Sequence, residues 1–236
     1  FKIAALEAGA RDFISKPFDL LEVHKRIHNM LEVRLLYKEL AQYSRAQQEL
    51  ALHDALTGLP NRRLLEDRIE TALQHANRSH AKAAIMYLDL DGFKSINDTY
   101  GHAYGDEILK MVSQRLLATS RKEDTVARLG GDEFMVVLGD IHSLADAQGP
   151  AAKLVEALVE PFFINDLTLR LSTSIGISIF PDDAESVDAL ISIADYALYE
   201  AKRSGKNRYC STGSAPSSAI IKTPAKQAVP ELVPHR

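Results

Sequence analysis

Gly130-Gly131 restricts the fold more than any other feature of the chain. It separates two short apolar runs, Thr125–Leu129 and Glu133–Leu138. Adjacent glycines take the left-handed conformations of a tight turn, so the runs are predicted to be the strands of a β-hairpin. Ala83–Leu90 is a continuous apolar run suited to a central strand buried on both faces. Thr168–Phe180 alternates Leu169, Leu171, Thr173, Ile175, Ile177 and Ile179 and reads as one further strand. Helices are expected over Arg62–Asn77, behind a cap at Asn61, and over Asp106–Thr119, with Ile108, Leu109, Val112 and Leu116 on one side. Two more are expected over Leu144–Val159 and Val187–Arg203, the last stopped by Gly205. The order α-β-α-β-β-α-β-α makes an α/β sandwich with a mixed, mainly antiparallel sheet.

Segments of different character flank this domain. Residues 1–30 hold the end of a helix, a short strand at Asp12–Pro17 and a helix opening at Asp19, too little to bury a core of their own. The chain begins at Phe1 in mid-element, so further residues upstream are expected. Residues 31–53 lack Gly and Pro, and Val33, Leu36, Leu40, Tyr43, Gln47 and Leu50 recur at heptad spacing. That pattern suits an amphipathic helix on its own domain or, the favoured reading, a coiled coil between two domains. Residues 211–236 carry four prolines with Ser, Ala and Lys and are read as a disordered tail.

The net charge of −4 excludes a general polyanion binder, so any nucleotide site must be a local cluster of bases helped by a metal. With Cys210 as the single cysteine, no intrachain disulfide can form, and no apolar run reaches the ~18–20 residues that cross a bilayer. A cytoplasmic location is expected.

Asp89 and Asp91 end the Ala83–Leu90 run and share one face of a strand. Such a pair is either a solvated strand end or a place to hold Mg²⁺, which completes its shell with water and phosphate oxygens. Asp132 and Glu133 form a second acidic pair, on a turn where their repulsion calls for a nearby cation. Lys94, Lys202 and Lys206 are candidate phosphate partners, although lysines near a helix C-terminus also serve simply as dipole-favoured surface charges. Asn97 and Asp106 flank Gly101-His102 and carry groups able to read guanine edges, though position alone singles out neither and a lone histidine is more often structural.

Residues 54–209 resemble the GGDEF domain, the diguanylate cyclase module. The resemblance rests on Asp54-Ala-Leu-Thr-Gly-Leu-Pro-Asn-Arg62, Asp89-Leu-Asp-Gly-Phe-Lys-Ser-Ile-Asn-Asp98, Gly101-His102, Gly105-Asp106, Arg128-Leu-Gly-Gly-Asp-Glu-Phe134, Ser174-Ile-Gly-Ile177 and Ala194–Arg208, in family order. It implies a fold like adenylyl cyclases and polymerase palms, over residues 54–210. It implies condensation of two GTP into cyclic di-GMP with release of pyrophosphate. It implies Mg²⁺, with Mn²⁺ as a substitute, held by Asp89, Asp132 and the Leu90 carbonyl, and reduces Asp91 to a supporting role. Asp132, Glu133 and Lys94 take catalytic roles, Asn97, His102 and Asp106 face the guanine, and Lys202 and Lys206 join Lys94 at the phosphates. Since one domain holds one GTP, the reaction implies a homodimer, for which the heptad helix raises the effective concentration of the second half-site. Arg121 and Asp124 match the family's product-inhibition motif, where cyclic di-GMP would bind.

Ala8–Phe18 resembles the last strand of a response-regulator receiver domain, with Lys16 as its switch lysine. That implies an output domain governed by an upstream histidine kinase acting on the full receiver. Neither DNA binding nor membrane insertion is expected. The alternative is a non-catalytic GGDEF domain that senses GTP or cyclic di-GMP.

Overall fold

The computed structural model describes Pro17 and residues 19–212, and for residue 41 and residues 43–51 the backbone alone. The readings made for residues 1–16, the strand with Lys16 among them, and for the tail beyond Thr212 lie outside the described residues.

The described residues form two compact units, divided between Ala51 and Leu52. The first is occupied by one helix, α1 (Leu20–Leu52), whose 33 residues span about 50 Å. The Asp19 side chain accepts the Leu21 amide at 2.8 Å and opens the helix, as the sequence suggests. The helix then runs without a break through residues 30 and 31, so the two helical stretches read from the sequence are one element. Of the heptad positions, Val33, Leu36 and Leu40 are exposed. The side chains of Tyr43, Gln47 and Leu50 lie outside the description. No helix among the described residues is long and apolar enough to cross a membrane.

The second unit is a sandwich. Its elements are α2 (Arg62–Ser79), β1 (Lys82–Asp91), α3 (Phe93–Tyr100), α4 (His102–Thr119), β2 (Thr125–Gly130), β3 (Glu133–Ile141), α5 (Leu144–Val159), β4 (Phe162–Ile164), β5 (Leu167–Leu169), β6 (Ser172–Phe180), α6 (Val187–Arg203) and β7 (Arg208–Ser211). Five strands make the main sheet in the order β2-β3-β1-β6-β7. All neighbours are antiparallel except β6 and β7. β1 is central, and its apolar run serves two cores at once. Ala84, Met86, Leu88 and Leu90 face α4 and α5, where Ile108, Val112 and Leu116 meet Leu154 and Leu158. Ala83, Ile85 and Tyr87 face α2 and α6, where Leu65 and Ile69 meet Leu190 and Leu198. Period-two alternation along a strand produces this division, and burial on both faces explains why the run is apolar throughout.

Three elements escaped the sequence reading. The single strand expected over Thr168–Phe180 is two, because Arg170 and Leu171 separate β5, half of a small hairpin with β4, from β6. The short helix α3 and the edge strand β7 have too few residues to display a period. α4 also starts at His102, before the predicted Asp106.

Gly176 of β6 fixes how close α6 approaches the sheet. A Cβ there would overlap the backbone of Ala194, Ala197 and Leu198, which cannot move aside as a side chain could. Gly176→Ala is therefore expected to lower the unfolding free energy by about 3 kcal/mol, as read from the urea denaturation midpoint.

Candidate active site

The hairpin carries its acids to the end of β1. Register pairs Asp89 with Glu133 across β1 and β3, and the Leu90 amide donates to the Asp132 carbonyl at 3.3 Å. Gly130 and Gly131 have φ of 147° and 52°, the left-handed conformations that make this turn possible without strain. Two independent acidic pairs in the sequence thus become one acidic corner.

The cations whose charge reaches Asp132 are Lys202 and Arg128. Lys202 of α6 forms an ion pair with Asp89 at 2.8 Å. Lys94 on α3 and Lys206 beyond α6 are both exposed. Burial, together with the Asp89 charge, holds the Asp132 carboxyl above the usual carboxylate range, against its own backbone amide and the Lys202 and Arg128 charges. Glu133 leans to the α6 side. It lines a recess of about 330 Å³ with Ser192, Asp195, Tyr196, Tyr199 and Lys202. The Tyr87 phenol hydrogen-bonds to Glu133, and burial with the Glu133 charge pushes that phenol up to about 12.

Asp91 does not join the acidic corner. Its carboxylate, 9% exposed, accepts from the Ser172 hydroxyl at 2.9 Å, the Ser174 hydroxyl at 2.9 Å and the Asn207 amide at 3.1 Å. With its acceptor positions taken by donors on β6 and the loop before β7, the side chain is a structural acceptor, in keeping with the supporting role expected for it.

The guanine candidates sit together a short way along the chain. Asn97 ends against Gly105, which would overlap the Asn97 amide if it bore a Cβ. The Asn97 Oδ1 atom is buried without a hydrogen-bond partner. His102 and Asp106 are exposed in the first turns of α4. Glycine at 105 therefore makes room for an amide that still has an acceptor to satisfy.

Arg121 and Asp124 form a tight turn between α4 and β2. The Asp124 carboxylate accepts the Arg121 amide at 2.7 Å, and the Asp124 amide donates to the Arg121 carbonyl at 3.2 Å. Burial raises the Asp124 carboxyl despite that bond and the Arg121 charge. The Arg121 side chain is exposed and makes no ion pair among the described residues.

The sequence reading missed what braces the hairpin. Arg128, 9% exposed, donates to the Gly131 carbonyl at 2.8 Å from Nη2 and 3.1 Å from Nε. Its Nη1 forms an ion pair with Asp54 at 2.8 Å. Asp54 also accepts the Thr57 hydroxyl and amide. Burial opposes its charge, but the Thr57 and Arg128 hydrogen bonds outweigh it and hold the carboxyl below the usual range. The spacing of Asp54 and Thr57 hints at such a turn; a partner 74 residues away leaves no local signal.

Removing Asp54 strands the Arg128 guanidinium in a half-dry site. Asp54→Ala is expected to cost about 2–3 kcal/mol at neutral pH by chemical denaturation. Because the Asp54 carboxyl is lowered on folding, its contribution holds above the unfolded value of 3.8 and is lost as pH falls through the folded one. The gap between the wild-type and Asp54→Ala proteins should therefore close in acid.

Comparison with known proteins identifies the family. Residues 51–208 match the family model described as the diguanylate cyclase GGDEF domain. The chain is 45% identical over 186 residues to the bifunctional diguanylate cyclase/cyclic di-GMP phosphodiesterase MucR of Pseudomonas aeruginosa, covering 78% of this chain and 27% of that protein. It is 34% identical over 208 residues to the response regulator PleD of Caulobacter vibrioides, covering 87% and 46%. Among solved structures, the GGDEF domain of TpbB from Pseudomonas aeruginosa superposes with a TM-score of 0.66 at 41% identity, over 67% of this chain and 93% of that one. The chain thus spans between about a quarter and a half of the curated relatives' length.

Proposed function

The chain belongs to the GGDEF family of diguanylate cyclase domains, with the palm-like nucleotidyl cyclase fold, and we propose that it condenses two GTP into cyclic di-GMP and two pyrophosphates. The observation that carries this reading is the meeting of Asp89 and Asp132 at the end of β1 beside Lys202.

A divalent cation suits that corner. Asp132 is held above the usual range in part by the Asp89 charge, the repulsion a shared cation would relieve. No group of three or more His, Cys, Asp or Glu side chains among the described residues is placed to hold a metal. Asp89, Asp132 and the Leu90 carbonyl would supply the protein ligands, and phosphate oxygens and water the remainder, a pattern typical of Mg²⁺, with Mn²⁺ as a substitute. When bound, the metal supplies neutralisation of charge on the phosphates and on the attacking oxygen.

The protein's own groups do the rest. Asn97 and Asp106 read the guanine edge, with His102 beside them. Lys94, Lys202 and Lys206 take up negative charge on the triphosphate, which grows on the pyrophosphate as it leaves. The 3′-oxygen of each GTP forms the new bond to the α-phosphorus of the other, and at each phosphorus the bond to the departing pyrophosphate breaks, so the two exchanges close the ring. Asp132 accepts the 3′-hydroxyl proton, with Glu133 adjacent. Each domain holds one GTP, so two copies must face each other. The exposed heptad residues of α1 suit a coiled coil that brings them together.

Regulation follows from the turn at Arg121. Its free guanidinium is suited to grip cyclic di-GMP in a bidentate manner, with Asp124 holding the turn in shape. The similarity to PleD, over 87% of this chain, supports a response-regulator output domain whose receiver is phosphorylated by a histidine kinase.

Incubating the full chain with GTP and Mg²⁺ at high protein concentration should yield cyclic di-GMP. Binding without product there would favour a nucleotide sensor. Asp132→Asn should reduce turnover by about a thousandfold or more. The same substitution should raise the melting temperature in metal-free buffer. The Asp132 carboxyl titrates higher folded than unfolded, so its ionised form costs stability at neutral pH. Arg121→Ala should relieve inhibition by added cyclic di-GMP and leave the initial rate intact; unchanged inhibition would remove the assignment.

A further inference from the structure

The loop after α6 has an unusual backbone. Gly205, Lys206 and Asn207 have φ of 112°, 60° and 48°, three left-handed residues in succession, of which two are not glycine. Side chains with a Cβ resist this conformation, so something must hold it. One restraint is the backbone bond from the Lys206 amide to the Ala201 carbonyl at 3.1 Å. The other is Asp91, whose Oδ2 accepts the Asn207 amide at 3.1 Å. A carboxylate accepts more strongly than a neutral oxygen, which suits it to a strained donor.

Asp91 is itself aimed. Ser172 donates to Oδ2 at 2.9 Å, and Ser174 donates to both oxygens, at 2.9 and 3.1 Å. Both serines lie on β6, beside β1, where register pairs Asp91 with Ser172 and Asp89 with Ser174. One residue beyond Asn207, Arg208 pairs with Ser174 as β7 joins the sheet. The strand that carries Asp89 into the acidic corner thus holds, two residues later, the loop that carries Lys206.

We infer that Asp91 is a positioning residue for Lys206: through Ser172, Ser174 and the Asn207 amide it fixes the left-handed loop from which that lysine reaches the triphosphate. The inference rests on the reading of Lys206 as a phosphate-binding group. It gives the second aspartate of Asp89-Leu-Asp91 a function separate from the metal, in substrate binding and not in the chemical step.

The test is a double-mutant cycle on the full chain, with GTP KM and kcat measured for Asp91→Asn, Lys206→Ala and the pair. Asp91→Asn should raise KM about tenfold and leave kcat within about twofold, and adding it to Lys206→Ala should change nothing further. Ser174→Ala, a milder change in the same network, should raise KM in the same sense and guards against loss of the Asp91→Asn protein through misfolding. Losses that multiply in the pair, a fall in kcat at constant KM, or an unchanged KM in Asp91→Asn and Ser174→Ala would each overturn the inference. A silent Lys206→Ala would instead overturn the assignment of that lysine to the phosphates.

Discussion

The burial of Asp132 beside the charge of Asp89 is the constraint around which this end of the domain is arranged. The fold must hold these two acids near each other against their repulsion. The sheet does most of it, through the Leu90 amide on the Asp132 carbonyl and the β1–β3 register behind it. Apolar cores on both faces of β1 make that register costly to slip, since a shift by one residue would exchange the two faces. Lys202 offsets one of the two charges from α6, and the absence of a side chain at Gly176 lets α6 lie close enough to the sheet to do so.

The fold was legible where residues repeat with a period over a sufficient length. The run Ala83–Leu90 and the helices α5 and α6 could be read within a residue, and the hairpin at Gly130-Gly131 within three, its second strand running on to Ile141. The small β4–β5 hairpin, α3 and β7 could not, because their form is set by neighbours. In the site, β1 and the hairpin meet through the Leu90 amide and the Asp132 carbonyl, and Lys202 pairs with Asp89. Spacing alone would have paired Asp89 with Asp91. The structure shows why it misleads: both side chains do leave the same face, but hydroxyls on β6 claim Asp91. Tyr87, buried in a strand core, carries no sequence mark of its bond to Glu133. Such partners become visible only when distant strands are laid side by side.

The surroundings of Asn97 are built differently from the acidic corner. The Asn97 amide occupies space that Gly105 leaves open, and its buried oxygen has no partner within the protein. An orphan acceptor is costly to keep unless a ligand completes it. The corner stores charge, and the Asn97 side chain stores an unmet hydrogen bond. In both, local stability is given up for readiness, as is common where binding or chemistry occurs.

The Arg128 clamp bears on how such a domain can be inherited. One guanidinium joins the carbonyl of Gly131, at the hairpin turn, to Asp54, two residues past the end of α1. Neither charge can be exchanged alone without leaving the other stranded, so the two positions should drift together through descent although 74 residues lie between them. The Asp54–Thr57 turn is accordingly property of the hairpin and not of the helix before it. A recombination event that joins a foreign sensor to this module keeps the clamp if it cuts upstream of Asp54, and severs it a few residues later. The seam along which evolution can shuffle these parts is thereby set by one buried arginine.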